Sequence, residues 1–191
     1  MKRPARILSR PSRPGGSPIR VRSAMDSRSL SVHDSAMQTL SLPDSGLAPL
    51  LPGQRLARGV CRHLRSHDFV SVVELVPTPG LRVDVMALGP KGEIWVVECK
   101  SSRADYRSDR KWQGYLDWCD RFFFAVDEAF PVDLLPEGTG LMLADGYDAE
   151  ILRIGPEGRL APARRKAVIQ GFARHAALRL QGLRDPGAFP G

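Results

Sequence analysis

Residues 82–100 constrain the fold more than any other stretch of this chain. Arg82-Val83-Asp84-Val85-Met86-Ala87-Leu88 and Glu93-Ile94-Trp95-Val96-Val97-Glu98-Cys99-Lys100 are rich in β-branched and large apolar residues and read as two strands. Gly89-Pro90-Lys91-Gly92 between them breaks strands and favours reversal, which makes the stretch a hairpin. Its apolar arms nevertheless carry Asp84, Glu98 and Lys100. A dried, unpaired charge costs several kcal/mol, so these three need partners or a purpose. Side chains alternate along a strand, which puts Glu98 and Lys100 on one face and Trp95, Val97 and Cys99 on the other. With Pro90-Lys91-Gly92 as the loop, Gly89 faces Glu93, and Asp84 lies opposite Glu98 with Cβ atoms about 5 Å apart. A loop one residue longer makes that contact diagonal. Facing carboxylates repel unless a cation or a proton sits between them. Their oxygens suit a hard divalent ion such as Mg²⁺. A neighbouring lysine can orient a water or stabilise developing charge. Together these groups describe phosphodiester hydrolysis; the plain alternative is a cross-strand salt bridge.

The surrounding chain has 191 residues, enough for one domain with a proper core plus extensions. Its net charge of +7 is a property of one end. Residues 1–25 hold Lys2, Arg3, Arg6, Arg10, Arg13, Arg20 and Arg22 and no acid, while the rest balances at 21 basic and 21 acidic residues. The basic balance is therefore weak support for nucleic-acid binding by the folded part. Residues 1–50 are rich in Pro, Ser, Gly and Arg and are expected to be disordered, as a DNA-tethering arm or a passive extension, with Met25 and Met37 as alternative starts. The Arg- and Ser-rich start also fits a transit peptide, but Pro4, Pro11, Pro14 and Pro18 oppose an amphipathic helix. Cys61, Cys99 and Cys119 form no CxxC pair and fit reduced thiols in a cytoplasmic protein. No run of 18 apolar residues is present, so no membrane span is expected. The absence of GxGxxG, Walker and GxSxG patterns gives no support to a nucleotide cofactor or to acyl transfer.

Along the chain, Leu56, Val60, Cys61 and Leu64 fall at helical spacing in residues 51–67, with Arg55, Arg58, Arg62 and Arg65 elsewhere on the surface. Such a basic face fits either phosphate contact or plain solvation. His63 and His67 have metal-ligand spacing but no third partner nearby, and read as surface or capping residues. Residues 69–76 form a strand in which Glu74 is a third acid, placed to join the site or to pair with Arg82. A polar loop after Lys100 leads into a helix through about Cys119, with Trp112, Tyr115, Leu116 and Cys119 as its buried stripe. Residues 121–126, 139–144 and 150–154 are strands, and 162–183 is a final helix packed through Val168, Phe172, His175, Ala176, Leu180 and Leu183. The expected class is α/β with a mixed sheet, and His175 reads as a packing or capping residue.

Several segments make a specific likeness: Val97-Glu98-Cys99-Lys100-Ser101-Ser102, Ala104-Asp105-Tyr106, Asp109-Arg110-Lys111-Trp112, Tyr115, Cys119 to Val126, and Gly140 to Gly146. They resemble the MmcB family, inferred to comprise DNA repair endonucleases, within the PD-(D/E)xK nuclease superfamily. The likeness runs from about Leu51 to Pro186. It implies a restriction-endonuclease-like αβββαβ core with an appended strand pair and C-terminal helix, in a domain of residues 51–186 between tails 1–50 and 187–191.

Carried over by position, the resemblance makes Asp84 and Glu98 metal-binding acids, the Cys99 backbone carbonyl a further ligand and Lys100 the catalytic lysine. Glu74 is the nearest substitute for the extra acid that relatives take from the first helix. Val83 stands where the motif has proline. Gln113 and Asp105 are supporting residues, Gln113 at a helix position facing the site. Arg103, Arg107 and Arg110 are candidate DNA contacts. The implied activity is a Mg²⁺- or Mn²⁺-dependent DNA endonuclease acting in repair, nucleoid-associated in the cytoplasm, with DNA and other repair proteins as partners. The alternative is a weak or inactive nuclease-fold module that binds DNA or a repair partner.

Overall fold

A computed structural model describes residues 49–109 and 111–187. Helix α1 (Pro52–Ser66) leads into three strands, β1 (Val70–Thr78), β2 (Leu81–Leu88) and β3 (Ile94–Lys100). A short helix α2 (Arg103–Ser108) and a 3-10 segment (Trp112–Trp118) carry the chain to β4 (Arg121–Val126). A 3-10 turn (Val132–Leu134), β5 (Gly140–Ala144), β6 (Ala149–Arg153) and a long helix α3 (Pro162–Arg184) follow. The strands form one sheet in sequence order. β1–β2–β3 pair antiparallel, β3–β4–β5 parallel and β5–β6 antiparallel, so the protein is a mixed α/β fold.

Apolar residues cover both faces of this sheet. On one face Leu56, Val60 and Leu64 of α1 pack on Val85, Val97, Phe123 and Met142. On the other, Tyr115, Val168 and Phe172 pack on Val83, Val96 and Phe124. The spacing that predicts α1 is the spacing that buries it. Gly59 lets α1 sit close, because a Cβ there would overlap the carbonyl oxygens of Asp145 and Asp148 in the β5–β6 turn.

The hairpin register is the expected one. Gly89 N–H donates to Glu93 O at 2.8 Å around the Pro90-Lys91-Gly92 loop, and Val85 lies opposite Val97. Gly92 closes the turn at φ +84°, a conformation open to glycine. Pairing between β2 and β3 stops at Val85–Val97, while β3 stays paired with β4 as far as Lys100. The alternation of faces slips at the same level: Met86 and Val83 both reach the core beneath α3. Across β1, Glu74 adopts φ +57° between Val73 and Leu75, which enter opposite cores. The hairpin thus opens at Asp84.

Three expectations require correction. The helix expected between Lys100 and Cys119 is two pieces, α2 and the 3-10 segment. In a 3-10 segment residues three apart eclipse, so Trp112, Tyr115 and Trp118 align towards the core, whereas Leu116 is exposed. On α3, Val168 and Phe172 are buried, but Leu180 and Leu183 are exposed because the helix runs past its packing partners. His175 Nε2 lies 3.1 Å from Val73 O, which fits the packing role expected of it. His63 and His67 are bound into the end of α1, through Asp148 Oδ1 and the His63 carbonyl respectively. The tail expected to be disordered lies, apart from its last two residues, outside the described residues.

Candidate active site

A cleft of about 1040 Å³ opens where β2 and β3 part. Five carboxylates line it: Glu74, Asp84, Glu98, Asp105 and Asp109. Asp84 fills the gap in the ladder with its side chain, Oδ2 accepting the Cys99 N–H at 2.8 Å. This bond fixes the carboxylate without spending its second oxygen. Glu98 is 5% exposed, and its Oε1 accepts from Lys100 Nζ at 3.1 Å. Its Oε2 is buried with no hydrogen-bond partner among the described residues. An orphaned buried carboxylate oxygen is costly and marks a place for a proton or a cation. Burial first, and the neighbouring Asp84 second, push the Glu98 carboxyl up to about 8. Burial likewise raises Asp84, against the pull of the Cys99 N–H and of Lys100.

Lys100 sits between acids. Its ammonium is buried and donates to Asp109 Oδ2 at 2.7 Å as well as to Glu98, with Asp105 Oδ1 at 3.9 Å. Burial works against its charge, but Asp109 and Glu98 outweigh that and raise its pKa. Asp109 in turn is lowered, the Lys100 and Lys111 N–H bonds overcoming its own desolvation. Asp109 is a site residue that the sequence reading did not single out. α2 ends at Ser108, and the extended backbone at Asp109 (φ −90°, ψ 109°) places its carboxylate on the lysine. A buried lysine flanked by facing carboxylates, and followed within nine residues by Asp105 and Asp109, was the available signal.

The other expected residues divide. Asp105 lines the cleft and accepts the Ser101 N–H at 3.2 Å, while its own N–H is capped by Ser102 Oγ. Glu74 lines the same cleft, but its carboxylate faces Arg179 of α3 at 3.4 Å rather than Arg82. Gln113 is exposed and outside the cleft lining, because the 3-10 turn directs Trp112 and Tyr115 inward and leaves Gln113 facing solvent. Arg103 and Arg107 are exposed on α2, also outside the lining, and Arg110 lies outside the described residues.

Among the described residues no three His, Cys, Asp or Glu side chains converge as a metal-ligating group. Two of the five carboxylates in the cleft come from the strands of the hairpin. Asp84 and Glu98 supply hard oxygen donors, one of them orphaned, and that chemistry fits a divalent cation. Cys99 is buried and its thiol is pushed well above its ordinary value, first by burial and then by the two acids, which disfavours a thiolate at this position.

A six-stranded mixed sheet with helices packed on its faces makes this a mixed α/β protein. The chain belongs to the MmcB-like DNA repair protein family, whose model matches residues 52–187. It is similar to the SPO1766 protein of unknown function from Silicibacter pomeroyi, with 69% identity and a TM-score of 0.73, over 75% of this chain and 98% of that one. A repair endonuclease from Pyrococcus abyssi overlaps 44% of this chain and 41% of its own, with 16% identity and a TM-score of 0.31. No curated protein matches. Among the described residues no helix is long and apolar enough to cross a membrane.

Proposed function

We propose that this protein is a metal-dependent DNA endonuclease that hydrolyses phosphodiester bonds in DNA repair, on a core of the PD-(D/E)xK type. The observation that carries the reading is the buried, unpartnered Oε2 of Glu98, in the same cleft as Asp84 and beside the fixed ammonium of Lys100. Membership of a DNA repair family supplies the substrate class.

Asp84, Glu98 and the Cys99 carbonyl would hold Mg²⁺ or Mn²⁺. Bound there, the cation would neutralise phosphate charge and acidify a water. The protein groups have separate tasks. The Cys99 N–H keeps Asp84 aimed into the cleft. Lys100 stays protonated, because two carboxylates hold its charge. It therefore acts as a donor that orients the attacking water and meets developing negative charge, rather than as a base. Asp109 and Glu98 fix the ammonium so that little reorientation is needed.

The test is cleavage of labelled duplex, nicked, flapped and four-way DNA with Mg²⁺ or Mn²⁺. Asp84→Ala and Lys100→Ala are each expected to lower the rate by about 10²-fold or more. Cleavage indifferent to both substitutions would sink the assignment. One observation favours a second reading, a nuclease-fold module that binds DNA without cutting: Lys100 is held by acids on both sides at 2.7 and 3.1 Å. That reading predicts metal-independent binding and no cleavage of any of these substrates.

A further inference from the structure

The described residues hold 19 basic and 18 acidic side chains, a near-even balance, so any nucleic acid must be held by local cations. The cations expected from sequence, Arg103 and Arg107, do not line the cleft. Three others do: Arg58 on α1, Arg82 on β2 and Lys111 at the start of the 3-10 segment. All three are exposed. None of them is in an ion pair among the described residues, whereas the cleft's remaining cations, Lys100 and Arg179, are both held by acids.

Their placement matters more than their number. α1 packs on one face of the sheet and the 3-10 segment on the other. Arg58 and Lys111 thus enter the cleft from elements on opposite faces, at the end of the sheet where β2 and β3 part. Arg82 lies two residues from Asp84 on the strand between them, and its charge reaches Asp84. Arg82's main chain is fixed by the Tyr115 hydroxyl, which donates to its carbonyl oxygen at 3.1 Å, and its guanidinium makes no ion pair among the described residues. The first turn of α1, which carries no acid, also borders the cleft. An acidic centre flanked by unpaired cations on separate elements suits a polyanion with regularly spaced charges, whose phosphates on either side of the central one meet a cation.

We propose that Arg58, Arg82 and Lys111 form the phosphate track that draws one DNA strand across Asp84 and Glu98. The track rests on the nuclease reading for its centre, but its cations make a separate claim about binding. Contacts of this kind position the backbone and carry no sequence information, so the track predicts binding that is insensitive to base sequence.

The experiment is fluorescence anisotropy of labelled DNA with the full chain in EDTA, across a salt series. Arg58→Ala, Arg82→Ala and Lys111→Ala should each weaken binding by roughly tenfold and lower the slope of log K against log salt by about 0.9. Arg174→Ala, an exposed arginine on α3 outside the cleft, is the control and should change neither. Thermal melting of each variant and Arg58→Lys, which keeps the charge and most of the affinity, separate contact loss from misfolding. An unchanged slope in the triple variant would overturn the track, as would an equal loss in Arg174→Ala. Tighter binding of RNA of the same sequence would overturn the assignment to DNA. Cleavage fails independently: a protein that binds through these residues but does not cut loses the nuclease reading and keeps the track. Normal cutting with unaltered binding does the reverse.

Discussion

Glu98 is the residue on which the site's chemistry turns. Its carboxyl is raised to about 8 from an ordinary 4.5, chiefly by burial. The folded protein therefore holds a proton there that the unfolded chain gives up near its ordinary value. Stability from this group is fully present below about pH 4.5 and is lost as pH rises towards 8. Cation binding must displace that proton, so affinity for Mg²⁺ should fall as pH drops below 8. Two outcomes follow at pH 8 with EDTA as the reference state. Mg²⁺ at about 100 times its Kd should raise the melting temperature, for a gain of about 2.7 kcal/mol. Glu98→Gln should melt higher than the parent in EDTA and show no response to Mg²⁺. Differential scanning fluorimetry at several pH values reads both, and a metal response that survives in Glu98→Gln would refute the ligand role. Asp84, Glu98 and Lys100 could be found in the sequence because charges stand out in an apolar strand. Asp109 offered only its nearness to Lys100, because its role depends on a helix ending one residue earlier, and helix ends are the least determined part of a sequence pattern.

At the scale of elements, the strands, α1 and the first half of α3 followed their periodicity, and the irregular pieces did not. The segment around Trp112 is apolar at spacings of three and four, which an α-helix and a 3-10 turn share in part; the structure takes the latter, and Leu116 and Gln113 leave the positions expected of them. The opening of the hairpin at Asp84 was also hidden, since register reasoning assumes that pairing continues to the strand's end. α1 depends on a contact invisible to periodicity. Gly59 lies on its buried side against the Asp145 and Asp148 carbonyls of the β5–β6 turn. A glycine inside an exposed helix would gain about 1 kcal/mol on replacement by alanine. Here the sign should reverse, because the methyl group would meet main-chain atoms that cannot step aside. Gly59→Ala is expected to lose about 2 kcal/mol, read as a lower urea midpoint with an unchanged m-value. A midpoint equal to or above the parent's would show that α1 does not need this close approach.

For the whole molecule, one partly buried ion pair ties the start of α3 to the hairpin that carries the site. Asp120, just before β4, accepts the Ile94 N–H at 2.8 Å at the start of β3 and the Leu160 N–H at 3.4 Å ahead of α3. Arg165 of α3 grips both its carboxylate oxygens, at 2.7 and 2.6 Å, and donates to the Gly92 carbonyl in the hairpin loop at 2.8 Å. In the sequence Asp120 and Arg165 stand 45 residues apart, with nothing to join them. Burial alone would raise the Asp120 carboxyl, but the Arg165 bonds and the two N–H groups outweigh it and hold it below its ordinary 3.8. A lowered carboxylate stabilises the fold above its unfolded value and loses that contribution as pH falls through the folded one. The parent should therefore lose stability below about pH 4 partly through this group. Asp120→Asn keeps the size but removes the charge, leaves Arg165 short of a partner, and should cost about 2–3 kcal/mol at neutral pH. The difference between variant and parent should shrink as the pH is lowered, because acid neutralises Asp120 in the parent as well. Urea titrations at pH 7 and pH 3.5 measure it. A difference that stays constant between the two would mean that Asp120 supports the fold through its N–H bonds and not through its charge.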